Sequence, residues 1–178
     1  MTTAVMLDIE TMGYRTRSVI LTFGAMKFDP RKIEVEPHTP FYHRLDVDSQ
    51  LALERTTDES TMDWWMQQAE DVREEAMGED NRTELMTFCK DLNKYLVGVD
   101  EIWAHGTTFD IVMVESLFRD LGMPTPWSYG KVCDSRTLFT QFGDPRDKNA
   151  DQAHNALADA YYQAVAVQKV LAKYPRVD

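Results

Sequence analysis

The sequence has few of the features that mark secreted and membrane-spanning proteins. Its 178 residues include only two cysteines, which excludes a scaffold stapled by several disulfides. No apolar run approaches the roughly 20 residues that cross a bilayer, and the N-terminal MTTAVMLD lacks the basic residues of a signal peptide. We therefore expect a soluble cytoplasmic protein without a membrane partner, in which Cys89 and Cys133 are buried thiols.

Basic side chains are also scarce. The 19 Lys and Arg residues are outnumbered by 30 Asp and Glu residues, and the formal net charge is -11. A protein that holds nucleic acid along a broad surface needs many cationic groups to neutralise phosphates. The composition excludes such a surface, but an enzyme that grips only a strand end can use bound cations instead.

The chain length and the order of its patterns predict one α/β domain over residues 1–178. Three β-rich segments come first and predict an antiparallel meander. Helical periodicities and short apolar runs follow, so we expect a mixed sheet of about five strands flanked by helices. The predicted order is strands 3–9, 19–28 and 41–47, helices 61–76 and 84–97, strand 102–104, helix 110–121, strand 132–134 and helix 152–173.

The stretch VMLDIETMG places two acids at the end of an apolar strand. Asp8 and Glu10 are two residues apart, so their side chains share one face of the strand, about 6.5 to 7 Å apart at the backbone. Carboxylates at this spacing can converge on cations that lie about 3.5 to 4 Å apart. The same triplet also arises by chance in an acidic protein, but a charge in this apolar setting is costly unless it is paired or binds metal.

Two later segments carry further acids in suggestive settings. Asp110 follows a predicted strand at the start of a helix, where aspartate also serves as a helix cap. His154 precedes Asp159 by five residues at the start of the last predicted helix. Small residues around Asp159 allow this helix to lie close to a sheet and to bring Asp159 to the first strand.

In chain order, Asp-x-Glu, Phe-Asp and His-x-Ala-x-x-Asp resemble the three motifs of the DEDDh branch of 3′-to-5′ exonucleases. The stretches DIETMG, WW followed by QQ, and CDSRTL most resemble the phage exonuclease A group and its bacterial relatives. This resemblance spans nearly the whole chain and implies a ribonuclease H-like fold. His105 departs from the family pattern, which more often has asparagine there, and it leaves a second histidine near the site.

The resemblance implies that Asp8, Glu10, Asp110 and Asp159 bind two Mg²⁺ or Mn²⁺ ions, which prefer carboxylate oxygens. It also implies that His154 acts as general base on the attacking water. The expected reaction releases nucleoside 5′-monophosphates from the free 3′ end of a single strand, with DNA favoured over RNA. Further candidates for substrate contact are Thr11, Met12, Trp64, His105 and Phe109.

Two neighbouring residues are predicted to be structural. Trp65 shares a helical face with Met62 and Ala69, which favours a place in the core. Asp134 precedes a predicted turn and is interpreted as its N-cap.

Two alternatives to a DNA exonuclease stay open at the level of sequence. One is a ribonuclease T-like exoribonuclease, because a single chain does not reveal how a 2′-hydroxyl is read. The other is a catalytically silent ribonuclease H-like binding module, against which the complete set of four acids and one histidine argues. The resemblance also raises the expectation of a homodimer and of a phage protein that acts in the bacterial cytoplasm.

Overall fold

The computed structural model describes residues 2–146 and 154–174. Its five strands are β1 (Ala4–Thr11), β2 (Ile20–Phe28), β3 (His38–Arg44), β4 (Glu101–Ala104) and β5 (Val132–Asp134). Within the described residues the α-helices are α1 (Val47–Ala52), α2 (Glu59–Met66), α3 (Glu70–Met77), α4 (Leu85–Tyr95), α5 (Asp110–Asp120), α6 (Ser135–Phe142) and α7 (Ala156–Lys173).

The strands form one mixed sheet in the order β3-β2-β1-β4-β5. β1 and β2 pair antiparallel, as do β2 and β3, which confirms the predicted meander. The pairs β1–β4 and β4–β5 are parallel. The carboxyl ends of three parallel strands therefore meet at one edge of the sheet, which is where open α/β sheets bind ligands.

Helices cover both faces of the sheet. Val5, Leu7 and Ile9 of β1 belong to a core cluster that includes buried residues of α4 and α5. Ala4 and Met6 face the opposite way, into a second cluster with α6 and α7. Because side chains alternate along a strand, Asp8 and Glu10 continue the row of Ala4 and Met6 on the α7 face.

Three of the differences from the sequence prediction concern helices. The predicted helix 61–76 is two helices, α2 and α3, because Ala69 adopts an extended backbone and starts a new helix after residues 67 and 68. α1 and α6 were not predicted, since six and eight residues give too short a periodic pattern. The last helix begins at Ala156, not at residue 152, which lies outside the described residues.

The smaller predictions have mixed outcomes. Trp65 is 1% exposed and Asp134 caps α6 through Arg136 N and Thr137 N, which confirms both structural assignments. Cys89 is buried, but Cys133 is only partly so because β5 is an edge strand. Over residues 2–146 and 154–174, the helices are too short or too polar to cross a membrane.

Candidate active site

Three of the predicted acids converge above the carboxyl end of β1. Asp8 and Glu10 come from the strand, and Asp159 lies in the first turn of α7. One carboxylate oxygen from each lies within 4.8 Å of the others. This set of hard oxygen donors is suited to a cation such as Mg²⁺ or Mn²⁺.

The approach of α7 depends on a glycine in the neighbouring strand. Gly24 of β2 pairs with Asp8 of β1 and lies under the first turn of α7. A Cβ atom at this position would come closer than 3.0 Å to backbone atoms of Ala156 and Leu157. The bare backbone of Gly24 thus lets α7 lie against the sheet and bring Asp159 to Asp8.

Asp110 contacts the backbone of β1 between the two strand acids. It is the first residue of α5 and is 3% exposed. Its Oδ1 accepts a hydrogen bond of 3.2 Å from Ile9 N, the amide between Asp8 and Glu10. Asp110 lies outside the tightest group of three, yet its charge acts on Asp8.

The buried acids disfavour one another's charge. Burial raises the pKa of Asp8 well above its usual range, and the charges of Asp110, Glu10 and Asp159 add to the effect. Burial, with Asp159 and Asp110, raises the pKa of Glu10 to about 8. Burial raises the pKa of Asp110 to about 7, although the Ile9 amide opposes the shift. A bound cation would relieve this repulsion and displace the protons.

His154 lies next to this acidic centre. Its backbone N–H donates a hydrogen bond of 3.2 Å to Asp159 Oδ2, and its φ of 73° lies in the left-handed region. Its ring meets the Trp64 ring edge-on, with the centroids 4.6 Å apart. The half-buried histidine, the carboxylate cluster and a partly exposed indole therefore share one surface.

Comparison with known proteins identifies the family. The family model described as 3'-5' exoribonuclease Rv2179c-like domain matches residues 3–171. The chain belongs to this family. The matched range contains the positions of the four acids and His154, and the family description agrees with the exonuclease resemblance seen in the sequence.

The individual proteins described next are at most 25% identical to this Rv2179c-like domain. An exodeoxyribonuclease of Enterobacteria phage T4 is 25% identical over 126 residues, which cover 65% of this chain and 55% of the phage protein. Exonuclease I of E. coli in complex with a dT13 oligonucleotide has a similar fold, with a TM-score of 0.71 at 16% identity. That match covers 99% of this chain and 42% of exonuclease I. The chain thus spans about half the length, or less, of these relatives.

A further structure, the zinc-bound complex of E. coli exonuclease I with single-stranded DNA, matches with a TM-score of 0.70 and 16% identity over 98% of this chain and 41% of that one. These likenesses confirm the predicted ribonuclease H-like architecture of the Rv2179c-like domain, with a five-stranded mixed sheet between helices.

His105 lies beside the site of the Rv2179c-like domain, and its ring makes two polar contacts. Its Nε2 lies 3.2 Å from an Arg146 nitrogen and its Nδ1 lies 3.1 Å from Ser135 Oγ. Arginine only donates, so Nε2 accepts and Nδ1 carries the proton toward Ser135. Burial, aided by Arg146 and Arg136, lowers the pKa of His105 to about 4, which keeps the ring neutral.

The other predicted substrate residues lie near the site with different degrees of exposure. Thr11 is 7% exposed, and its hydroxyl donates to Gly13 O. Met12 is half-buried against the cluster around Trp65, and Phe109 packs on the main core. Trp64 is more open, with 36% of its surface exposed.

Sequence reasoning missed several residues that build the site of this Rv2179c-like domain. Gln163 donates a hydrogen bond of 3.0 Å to Asp8 Oδ1. Its distance of four residues from Asp159 puts both on one helical face, and this was the available signal. Gly24 gave no signal, since its role depends on tertiary packing. Arg136 was also missed, and its charge opposes the rise in the pKa of Asp110.

Proposed function

We propose that this domain is a metal-dependent 3′-to-5′ exonuclease that hydrolyses single-stranded nucleic acid to nucleoside 5′-monophosphates. The observation that carries the proposal is the convergence of Asp8, Glu10 and Asp159 within 4.8 Å, with Asp110 beside them. Membership of a family described as 3'-5' exoribonuclease-like supports it. We assign the activity to the single domain expected from the sequence.

The four carboxylates would hold two Mg²⁺ or Mn²⁺ ions. Their donor atoms are all oxygens, and burial raises the pKa of Asp8, Glu10 and Asp110, an effect that bound cations would offset. When bound, such ions activate water and neutralise charge on the phosphate that is cleaved. The role of the protein is to hold Asp8 and Glu10 on a rigid strand and Asp159 on a packed helix.

His154 is proposed to take the proton from the attacking water. It lies next to Asp159 and close to the acids, as a general base must. His105 is less suited to this task because Arg146 occupies the lone pair of its Nε2. We therefore assign the role of general base to His154 and a structural role beside the site to His105.

Trp64 is proposed to contact the terminal base. Its indole is partly exposed and touches His154, so a base stacked on it would lie next to the acids. Trp65 fixes this position, since its buried Nε1 donates a bond of 2.8 Å to Thr11 O at the end of β1. Thr11 and Met12 remain candidates for contact with the terminal nucleotide through backbone and side chain, and Phe109 remains a candidate just before α5.

The relatives disagree about the sugar of the substrate. The family description names an exoribonuclease and covers residues 3–171, whereas the phage T4 relative is named an exodeoxyribonuclease and aligns over 126 residues. We therefore take RNA as the first candidate substrate. DNA, which the sequence analysis favoured, remains the second, supported by the phage relative and by the DNA-bound complexes of exonuclease I.

A gel assay tests the proposal directly. RNA and DNA strands labelled at the 5′ end are incubated with the protein and Mg²⁺, Mn²⁺ or EDTA, with Asp8→Asn as the inactive control. We expect a metal-dependent ladder that shortens from the 3′ end, and the faster strand identifies the sugar. If the folded wild type degrades neither strand, the silent binding module replaces the exonuclease.

The cellular setting and assembly stay predictions. The phage T4 relative supports a phage protein that acts in the bacterial cytoplasm. A homodimer is expected only from the family resemblance, and sedimentation of the purified protein tests it.

A further inference from the structure

Gln163 is a polar residue placed inside the packed face of α7. It is 5% exposed, between the fully buried Ala160 and Ala164. Its Nε2 donates a hydrogen bond of 3.0 Å to Asp8 Oδ1 on the opposite side of the helix–sheet interface. A buried amide in this position needs a reason, because apolar side chains would fill the same space without a desolvation cost.

Two other buried glutamines show what a purely structural role looks like in this fold. Gln50 is 0% exposed, and its amide exchanges hydrogen bonds with both the N–H and the C=O of Ile20. Gln168, on α7 like Gln163, donates to the backbone carbonyls of Asp29, Lys32 and Val35. Both hold backbone segments together, whereas Gln163 is bonded to a side chain of the acidic centre.

The amide of Gln163 is also incomplete. Its Oε1 is buried and has no hydrogen-bond partner among the described residues. A buried acceptor without a donor is unfavourable, so its presence needs an explanation. The amide thus keeps an unused acceptor beside the bond that it donates to Asp8.

We propose that Gln163 is a positioning residue for metal binding. Its N–H group holds one oxygen of Asp8, which fixes the plane of the carboxylate and leaves the remaining lone pairs for a cation. Carboxylates that bind metals are commonly oriented by hydrogen bonds of this kind. The inference rests on the proposed function, because it assigns Gln163 to the metal site of that function.

The test compares metal affinity in the wild type and in Gln163→Met, which keeps the length of the side chain and removes the donor. Titration calorimetry of the metal-free proteins with MnCl₂ at one pH gives the affinity without any nuclease assay. We expect binding to weaken about 10- to 100-fold, as when other partners of metal ligands are removed. In the nuclease assay the half-saturating Mn²⁺ concentration should rise equally, and saturating Mn²⁺ should restore most of the turnover with little change in KM for the oligonucleotide.

Gln168→Met is the matched control. It removes an equally buried amide from the same helix, 2% exposed, but the bonds it breaks lead to the loop after β2. We expect a lower melting temperature and unchanged Mn²⁺ affinity. If Gln163→Met does not fold, Gln163→Leu takes its place, because it also fills the buried space without a donor; weaker Mn²⁺ binding is expected again.

Two results overturn the inference, and they differ in what else they overturn. If a folded Gln163 variant binds Mn²⁺ as tightly as the wild type, Gln163 has no positioning role and the proposed function stands. If the wild type neither binds Mn²⁺ nor degrades any strand, the proposed function fails together with the inference.

Discussion

At the scale of single residues, Asp8 and Glu10 are held where their negative charge is unfavourable. In the unfolded chain each carboxyl is surrounded by water, whereas the fold buries them beside each other and beside Asp110 and Asp159. Carboxyl groups with strongly shifted pKa values are concentrated at functional sites in proteins. The buried charges destabilise the folded state over a defined pH range, and this change in stability can be measured.

The first prediction concerns stability in EDTA. The pKa of Glu10 is raised from 4.5 in the unfolded chain to about 8 in the folded state. At pH values between 4.5 and 8, the folded protein holds a proton on Glu10 that the unfolded chain releases. Stability should therefore fall as the pH rises from about 4.5 to about 8, and the melting temperature measured across this range checks it. Added Mn²⁺ should raise the melting temperature more at the alkaline end, where fewer protons compete.

Glu10→Gln is the control for this effect. The variant should show a flatter dependence of melting temperature on pH and a smaller gain from Mn²⁺. A variant that keeps the full wild-type slope would show that Glu10 does not titrate as the structure indicates.

The second prediction separates the two histidines. His154→Asn removes the base but keeps the backbone, because asparagine tolerates the left-handed φ of 73°. Turnover should fall by about 10² to 10⁴-fold while Mn²⁺ affinity stays near the wild-type value. His105→Gln should have the smaller effect on turnover; an inactive His105→Gln beside an active His154→Asn would reverse the assignment.

At the scale of elements, the site depends on how closely α7 lies on β1 and β2. Ala160 and Ala164 are fully buried against the sheet, and Gly24 leaves room for the first turn. This packing, more than any contact of Asp159 itself, determines where the last acid lies. Small changes at the interface should therefore be felt in catalysis.

The third prediction is that Gly24→Ala strongly impairs the enzyme. The added methyl group overlaps the backbone of Ala156 and Leu157, so α7 must move away from the sheet. Overpacking of this kind costs about 1–3 kcal/mol, and the displacement of Asp159 should lower Mn²⁺ affinity and turnover. Gly130→Ala is the control, since its new Cβ meets nothing within 4 Å. Equal melting temperatures and activities for the two variants would contradict this role of Gly24.

The sequence predicted the elements whose patterns are long and missed those whose cause is tertiary. β1, β2 and α7 have clear periodicity, and all three are present in the structure. The periodic pattern of 61–76 runs through residues 67 to 69, so nothing local reveals the break between α2 and α3. The four acids and His154 were predicted because their order resembles known motifs; Gln163 and Gly24 belong to no motif and are explained only by what packs against them.

At the scale of the whole molecule, negative charge prevails, with a formal net charge of -11. Among the described residues, Arg136 lowers the pKa of Asp110 through its charge, and Arg146 does the same for Asp159. Arg146 also forms a salt bridge of 2.7 Å with Asp144. Few counterions can therefore be released when a strand binds. Affinity should come from the metal-loaded centre and from stacking.

The fourth prediction is a weak dependence of binding on salt. Each neutralised phosphate of a single strand contributes a slope of about -0.7 to the logarithmic plot of affinity against salt concentration. Two arginines give about -1.4, which anisotropy titrations of His154→Asn with a labelled strand in Mn²⁺ and increasing KCl can measure. A slope steeper than about -4 would indicate phosphate contacts beyond those of Arg136 and Arg146.

The hydrogen bond between Gln163 and Asp8 joins residues that are 155 positions apart in the chain. During synthesis, Asp8 and Glu10 leave the ribosome long before Asp159 exists, and the sheet must wait for α7 before its acidic centre is closed. A ribosome that stalls before residue 159 therefore releases a fragment without the complete set of acids.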